Sequence, residues 1–191
     1  FVSLDRYLEE IRSLYLFSSQ QKGIGFIIDK DPKVPQRIYT DQYKLSGVLV
    51  NLLSNAMKFT FKGSVTLKIF PDRTDKENKN LNKLVFSVED TGIGIQESDK
   101  AKLFKTFGRI EQKDKSINSQ GVGLGLTIAK GLVEALAEDI QGKIEFESEY
   151  NKGSKFWFSL NIAGPALSPL RIPPPKYSHN DTTNILNDTA Y

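Results

Sequence analysis

The chain has 191 residues, with 26 Lys and Arg against 23 Asp and Glu, which leaves a formal net charge of +3. This length suits one domain with a tail, and so small and mixed a charge argues against nucleic acid as a partner. Cysteine is absent, which excludes disulfides, thiol catalysis and cysteine metal sites within this chain, and the one histidine, His179, excludes a histidine-rich metal cage. No apolar run reaches the about 20 residues of a membrane span, and no signal peptide is recognisable, so we expect no membrane contact by this chain.

The first half of the chain alternates between helical and strand patterns. Apolar residues recur at helical spacing over residues 3–22, and this predicted inward face comprises Leu4, Tyr7, Leu8, Ile11, Leu14 and Tyr15. Residues 24–29 read as a short strand, and prolines within 31–35 interrupt regular structure. Asp41 is expected to cap a second helix that ends near Phe59. Alternating apolar residues over 65–69 and 84–88 predict two strands joined by the polar hairpin loop 71–82.

The second half continues the mixture of helices and strands. A helix is expected over residues 97–107, then a polar stretch over 108–120, a helix over 124–136, and a closing hairpin of strands 143–148 and 154–162. Helices and antiparallel hairpins in one chain predict an α+β two-layer sandwich. Residues 163–191 hold five of the eight prolines and lack periodicity. We therefore expect a domain over residues 1–162 and a Pro-rich linker or disordered tail over 163–191.

Three polar residues on the second predicted helix share one stripe. Asn51, Asn55 and Lys58 stand at positions i, i+4 and i+7, next to the apolar face. Mg²⁺ takes one or two protein oxygens and leaves the rest of its shell to phosphate and water, while lysine offers phosphate a point charge. The stripe suits a magnesium polyphosphate, although an ordinary solvated helix face shows the same pattern.

Two glycine motifs flank the polar stretch. The first runs Asp90-Thr-Gly92-Ile-Gly94-Ile95 at a predicted strand end, where a carboxylate can accept a hydrogen bond from an exocyclic amine such as that of adenine and glycines let the backbone approach a flat ring. A plain turn is the alternative. The second runs Gly121-Val122-Gly123-Leu124-Gly125-Leu126 into a helix, whose exposed amides attract phosphate. A glycine cluster that serves helix packing is its alternative.

An aromatic motif precedes the polar stretch. It runs Leu103-Phe104-Lys-Thr-Phe107-Gly-Arg109, and aromatics three apart on a helix are more often core than site. Their position before residues 108–120 nevertheless makes that stretch a candidate lid anchored at the aromatic end.

With these four motifs in this order, the chain closely resembles the catalytic, ATP-binding domain of two-component sensor histidine kinases, which share an ATPase superfamily with gyrase, the Hsp90 chaperones and MutL. The matching motifs are the N box (51–60), the G1 box (90–95), the F box (104–107) and the G2 box (121–126). The resemblance covers about residues 1–162. It implies a Bergerat-type fold, with a five-stranded mixed sheet, three main helices on one face and an ATP lid.

The resemblance also implies roles for individual residues. Asn55 would hold Mg²⁺ with Asn51 close by, Lys58 would meet phosphate, and Asp90 would bind the adenine amine. The other residues expected to contact ATP are Phe59, Gly92, Ile93, Gly94, Ile95, Phe107, Arg109, Gly121, Val122, Gly123, Leu124, Gly125 and Leu126. Superfamily members that hydrolyse ATP usually carry Glu where this chain has Asn51, and a neutral amide cannot take a proton from water. Asn51 therefore favours phosphoryl transfer over hydrolysis.

The same resemblance implies partners and a location. The phosphate acceptor would be a histidine on a dimerisation domain that these residues do not include, since His179 lacks a helical context, and a response-regulator receiver domain would act downstream. The fragment is then expected to be intracellular and not to phosphorylate itself. Two alternatives stay open, namely a non-catalytic nucleotide-sensing scaffold and a free ATPase of the gyrase or Hsp90 type.

Overall fold

The computed structural model describes residues 1–72, 82–104, 124–137 and 142–162. In chain order the elements are β1 Val2–Ser3, α1 Leu4–Lys22, β2 Gly25–Lys30, β3 Arg37–Ile38, α2 Gln42–Phe59, β4 Ser64–Pro71, β5 Lys83–Asp90, α3 Glu97–Lys100, α4 Gly125–Leu136, β6 Glu145–Glu149 and β7 Gly153–Asn161. None of the helices in these ranges is long and apolar enough to cross a membrane.

Five strands form one mixed sheet in the order β2-β4-β5-β7-β6. β2 runs parallel to β4, and the other three pairings are antiparallel. The strict alternation along β4 buries Val65, Leu67 and Ile69 on one face and leaves their neighbours partly exposed. The predicted five-stranded mixed sheet of a two-layer α+β fold is confirmed.

The core lies between this sheet and helices α1, α2 and α4, all on the same face. Phe86 and Phe158 face each other across β5 and β7, are almost completely buried, and stack with ring centroids 5.4 Å apart. α2 supplies the largest helical share of the core because seven of its residues, spaced three and four apart, are buried.

Three local expectations were wrong, and one pair of short strands was not foreseen. Leu14 is 59% exposed, because it lies about 80° around α1 from Leu4, at the edge of the buried stripe. α3 ends at Lys100 and gives way to turns, in which the N–H groups of Lys102 and Leu103 bond to carbonyls three residues back. β6 begins two residues later than the pattern suggested. The short antiparallel pair β1 and β3 was not foreseen, since two-residue strands carry no periodicity.

Candidate functional site

Helix α2 begins at a capped end and places Asn51, Asn55 and Lys58 of the N box on one side. The carboxylate of Asp41 accepts hydrogen bonds from the N–H groups of Tyr43 and Lys44, as expected for a helix cap. These bonds also hold the pKa of Asp41 below its ordinary value. Asn51, Asn55 and Lys58 are half-buried at the border between the core-facing stripe and the surface.

Asn51 and Asn55 meet the first turn of α4. The Asn51 side chain donates from Nδ2 to the carbonyl of Gly47 at 2.7 Å, which turns its Oδ1 toward Gly125. A Cβ at Gly125 would lie 2.9 Å from that oxygen and 3.9 Å from the Asn55 amide nitrogen. The structure thus brings both amides of the N box against the beginning of α4, which starts at Gly125 within the G2 box.

The end of α2 is fastened by Lys22 from α1. Its ammonium donates to the carbonyls of Met57, Lys58 and Thr60, the last at 3.1 Å, and burial lowers its pKa. These are carbonyls that a helix end leaves without internal partners. Lys22 therefore fixes the turn that carries Lys58, whose Nζ lies 5.1 Å from the Phe59 ring centroid. The sequence did not predict the contact between Lys22 and the Lys58 carbonyl, because these two residues are 36 positions apart.

Asp90 ends β5 with its carboxylate partly buried. Its Oδ1 accepts a hydrogen bond from the Gly92 N–H at 2.9 Å, closing a tight turn at the strand end. Burial raises the pKa of Asp90, and the N–H groups of Gly92 and Ser154 only partly offset this effect. A desolvated carboxylate with acceptor capacity to spare is suited to a neutral donor such as an adenine amine.

The turn after Asp90 packs directly against the end of α2. The Ile93 N–H donates to the Phe59 carbonyl at 3.2 Å. A Cβ at Gly92 would overlap that same carbonyl oxygen, so only glycine allows this approach. The N box and the G1 box, about 30 residues apart in the chain, therefore form one continuous backbone junction.

The loop of residues 91–95 after Asp90, here called the G1 loop, contacts the end of α2 on one side and the β6–β7 hairpin on the other. The sequence predicted this hairpin but gave it no role at the site. The Ser148 hydroxyl accepts from the Ile95 N–H at 2.9 Å and donates to the Gly153 carbonyl at 3.0 Å. The Asn151 N–H donates to the Ile93 carbonyl at 2.7 Å, and the Gly94 Cα lies close to the hairpin backbone. The one available signal was the Asn-Lys-Gly turn pattern, which located a hairpin but not its contact.

The remaining predicted residues divide into two groups. Phe104 packs against Phe146 with centroids 5.9 Å apart, and Leu124, Gly125 and Leu126 open α4. Five predicted site residues lie outside the described residues, namely Phe107, Arg109, Gly121, Val122 and Gly123. The whole candidate lid stretch, 108–120, lies outside them as well.

The polar groups of the described site are of the types that suit a magnesium nucleotide. It combines an adenine-type acceptor at Asp90, amide oxygens at Asn51 and Asn55, and an ammonium at Lys58. The described residues include no cluster of three or more His, Cys, Asp or Glu that would hold a metal by itself. A single amide ligand leaves most of the shell of a Mg²⁺ ion to phosphate and water, which is how that ion usually binds with nucleotides.

Comparison with known proteins identifies a family for this chain. The family model described as histidine kinase-, DNA gyrase B-, and HSP90-like ATPase matches residues 40–164. The signal transduction histidine-protein kinase BarA of Shigella flexneri is 32% identical over 198 residues, covering 95% of this chain but 20% of BarA. The chain thus spans about a fifth of that relative's length.

Two solved structures share the fold closely. The full-length ShkA structure in complex with AMPPNP superposes with a TM-score of 0.67 at 27% identity, covering 86% of this chain and 31% of ShkA. The nucleotide-free catalytic domain of histidine kinase ThkA gives 0.64 at 25% identity, covering 85% of this chain and 96% of that domain. The chain belongs to the histidine kinase-, DNA gyrase B-, and HSP90-like ATPase family, as a catalytic domain of the histidine-kinase type.

Proposed function

We propose that this chain binds ATP with Mg²⁺ and donates the γ-phosphate to a histidine on a dimerisation domain of its parent protein. A response-regulator receiver domain would then take the phosphate onward. The family membership and the AMPPNP complex of the ShkA neighbour support nucleotide binding. His179, the one histidine in this sequence, is not our proposed acceptor.

Each described residue has a task in this proposal. Asp90 would accept a hydrogen bond from the adenine amine, and the backbone of Gly92 to Ile95 would border the ring. Asn55 would hold Mg²⁺, with Asn51 beside it, and Lys58 would contact phosphate. The ion would neutralise phosphate charge as it develops. Phe107, Arg109 and residues 121–126 would complete the phosphate end of the site.

The observation that carries transfer over hydrolysis is the amide of Asn51. Its nitrogen is committed to the Gly47 carbonyl, and its oxygen faces Gly125. This group cannot remove a proton from water, so nothing at its position activates water as a nucleophile. In the transfer itself a P–N bond to the histidine forms as the P–O bond to ADP breaks. The imidazole proton leaves to a group that comes with the acceptor domain.

The test mixes the full chain with the histidine-bearing dimerisation domain of its parent protein, Mg²⁺ and γ-labelled ATP. We expect acid-labile, alkali-stable label on the acceptor histidine, none on this chain, and little free phosphate. Asn55→Ala should reduce labelling at least about tenfold by weakening the magnesium nucleotide, as loss of a ligand or charge-assisted contact does. Gln42→Ala removes an exposed amide side chain at the first position of the same helix and is the matched control.

Two outcomes would overturn the proposal in different ways. ATP binding without any label on the acceptor would identify a nucleotide-sensing scaffold. Steady phosphate release by the chain alone would identify a free ATPase, and it would contradict the role given to Asn51.

A further inference from the structure

The Lys22 ammonium, at the C-terminal end of α1, occupies a site built from the end of α2. Its three N–H donors meet three carbonyl oxygens, those of Met57, of Lys58 at 3.4 Å and of Thr60 at 3.1 Å. The same ammonium lies over the ring of Phe61, with 5.3 Å between Nζ and the ring centroid. One cation therefore joins the last turn of α2 to the residues that follow it.

The other carbonyl groups of this last turn have different partners. The Ala56 carbonyl accepts from the N–H of Thr60 at 3.0 Å and from its hydroxyl at 2.7 Å. The Phe59 carbonyl accepts from the Ile93 N–H of the G1 loop. Lys22 supplies the donors for the remaining two carbonyl groups of the turn, so its loss would leave them to solvent.

The proposed contact between Lys58 and phosphate lies at the electrostatically unfavourable end of α2. The carbonyl groups at the C-terminal end of a helix carry about half an elementary negative charge, which disfavours a bound anion. Lys22 brings a full positive charge to these carbonyl groups. It therefore offsets the negative end of α2 and also holds the backbone of Lys58.

A second contact on the same side of α1 fixes where Lys22 lies. Tyr15, two helical turns before Lys22, donates to the Val50 carbonyl at 3.3 Å and shares a hydrogen bond of 3.0 Å with the Ser54 hydroxyl. Gly23, with a φ of 65°, ends the helix directly after Lys22. The position of the ammonium thus follows from the alignment of two helices.

We propose that Lys22 is a positioning residue for the nucleotide, which holds the turn of Lys58 so that this side chain meets the phosphates of ATP. This inference rests on the proposed function, in which Asp90 binds adenine and Lys58 contacts phosphate. The adenine end has further support, because the G1 loop also bonds to Ser148 and Asn151. Loss of Lys22 should therefore weaken contacts to phosphate more than contacts to adenine.

The ratio of the affinities for magnesium ATP and for adenosine isolates this role, because adenosine lacks the phosphates. In the full chain, Lys22→Met should lower ATP affinity about tenfold and adenosine affinity less than about twofold, as measured from the amide NMR shift of Gly92. Lys22 is exposed as a whole, so the variant should fold. Lys22→Arg keeps a charged donor for the carbonyl groups and should hold the ratio within about threefold of the wild type.

Lys62→Met is the matched control. It removes the same charge from an exposed position between α2 and β4. Both affinities should stay near those of the wild type, since salt screens an exposed charge. An equal loss of ATP affinity in Lys62→Met and Lys22→Met would overturn the proposal, because any nearby charge would then suffice.

A double-mutant cycle tests whether Lys22 acts through Lys58. Lys58→Met should itself weaken ATP binding, and adding Lys22→Met should then cost at most about threefold instead of tenfold. Additive losses of ATP affinity would overturn the proposal. So would equal losses for ATP and adenosine in Lys22→Met, which is the effect of a residue needed only for folding. A wild-type chain that binds neither ligand would instead refute the proposed function, and this inference with it.

Discussion

Asp90 is the residue in which burial and proposed function oppose each other. Its carboxylate sits partly desolvated at the end of β5, and burial raises its pKa. A raised carboxyl pKa means that the folded state binds protons more readily than the unfolded state. The ionised side chain therefore costs stability as the pH rises from the unfolded pKa through the folded pKa, and the cost persists at neutral pH.

This sign gives a prediction for Asp90→Asn. The neutral amide removes the charge penalty, so the free energy of unfolding at neutral pH should be no lower than in the wild type. The difference in stability between the variant and the wild type should shrink as the pH falls through the raised pKa of folded Asp90, and it should disappear below the ordinary pKa of the unfolded carboxyl. Nucleotide affinity should nevertheless fall about tenfold to a hundredfold, because the amide has no charge and carries an NH₂ donor in place of the second carboxylate oxygen that could accept from the adenine amine. Denaturant unfolding and titration with a fluorescent ATP analogue measure the two effects.

Asp29→Asn is the matched control, since it makes the same charge change at an exposed position on β2. Its nucleotide affinity should equal that of the wild type. If Asp90→Asn lost stability at neutral pH in proportion to its loss of affinity, Asp90 would be a structural residue and its adenine role would be refuted.

At the scale of elements, the β6–β7 hairpin holds the G1 loop in place. Gly153 adopts a φ of 121°, a conformation that L side chains rarely take. A Cβ there would also overlap the carbonyl oxygen of Asp90. The turn thus approaches the proposed adenine loop so closely that the two backbones form one unit.

Gly153→Ala should therefore damage both elements at once. Backbone strain and the steric overlap should cost about 2–3 kcal/mol in the free energy of unfolding, and the displaced loop should weaken nucleotide binding. Gly131→Ala is the control, because that helical glycine has open space and alanine favours the helix by about 0.5–1 kcal/mol. Thermal unfolding and nucleotide titration of both variants decide the matter, and an unperturbed Gly153→Ala would contradict this account of the hairpin.

At the scale of the whole molecule, one core joins the sheet to its three helices. The stacked pair of Phe86 and Phe158 lies at the centre of the sheet, in strands that pair with both halves of it. Loss of either ring leaves a cavity that a close-packed interior cannot fill.

Phe158→Ala should lower the free energy of unfolding by about 3–5 kcal/mol, a large part of the total for a domain of this size. Phe17→Ala, at a helix position that is 67% exposed, removes the same ring and should change stability by at most about 0.5 kcal/mol. Circular dichroism and Trp157 fluorescence should give one coincident transition in each protein. Separate transitions would mean that sheet and helices do not share one cooperative core.

The sequence by itself determined the family, the element types and the polar stripe of Asn51, Asn55 and Lys58. These features rest on local periodicity and on motifs a few residues long, which the chain carries wherever it folds. Because these patterns are local, the predictions of β4 and α2, whose apolar periodicity is strong, were confirmed. The same locality also explains the failure at Leu14, because a pattern shows that a residue is apolar without showing whether another element covers it.

Only the tertiary structure decided the strand order β2-β4-β5-β7-β6 and the contacts that shape the site. Lys22 reaches the end of α2, and Ser148 and Gly153 reach the loop after Asp90, across 35 to 63 positions of sequence. Such contacts depend on which surfaces meet when the core closes. No local propensity encodes that meeting, since its free energy comes from burial shared among distant segments.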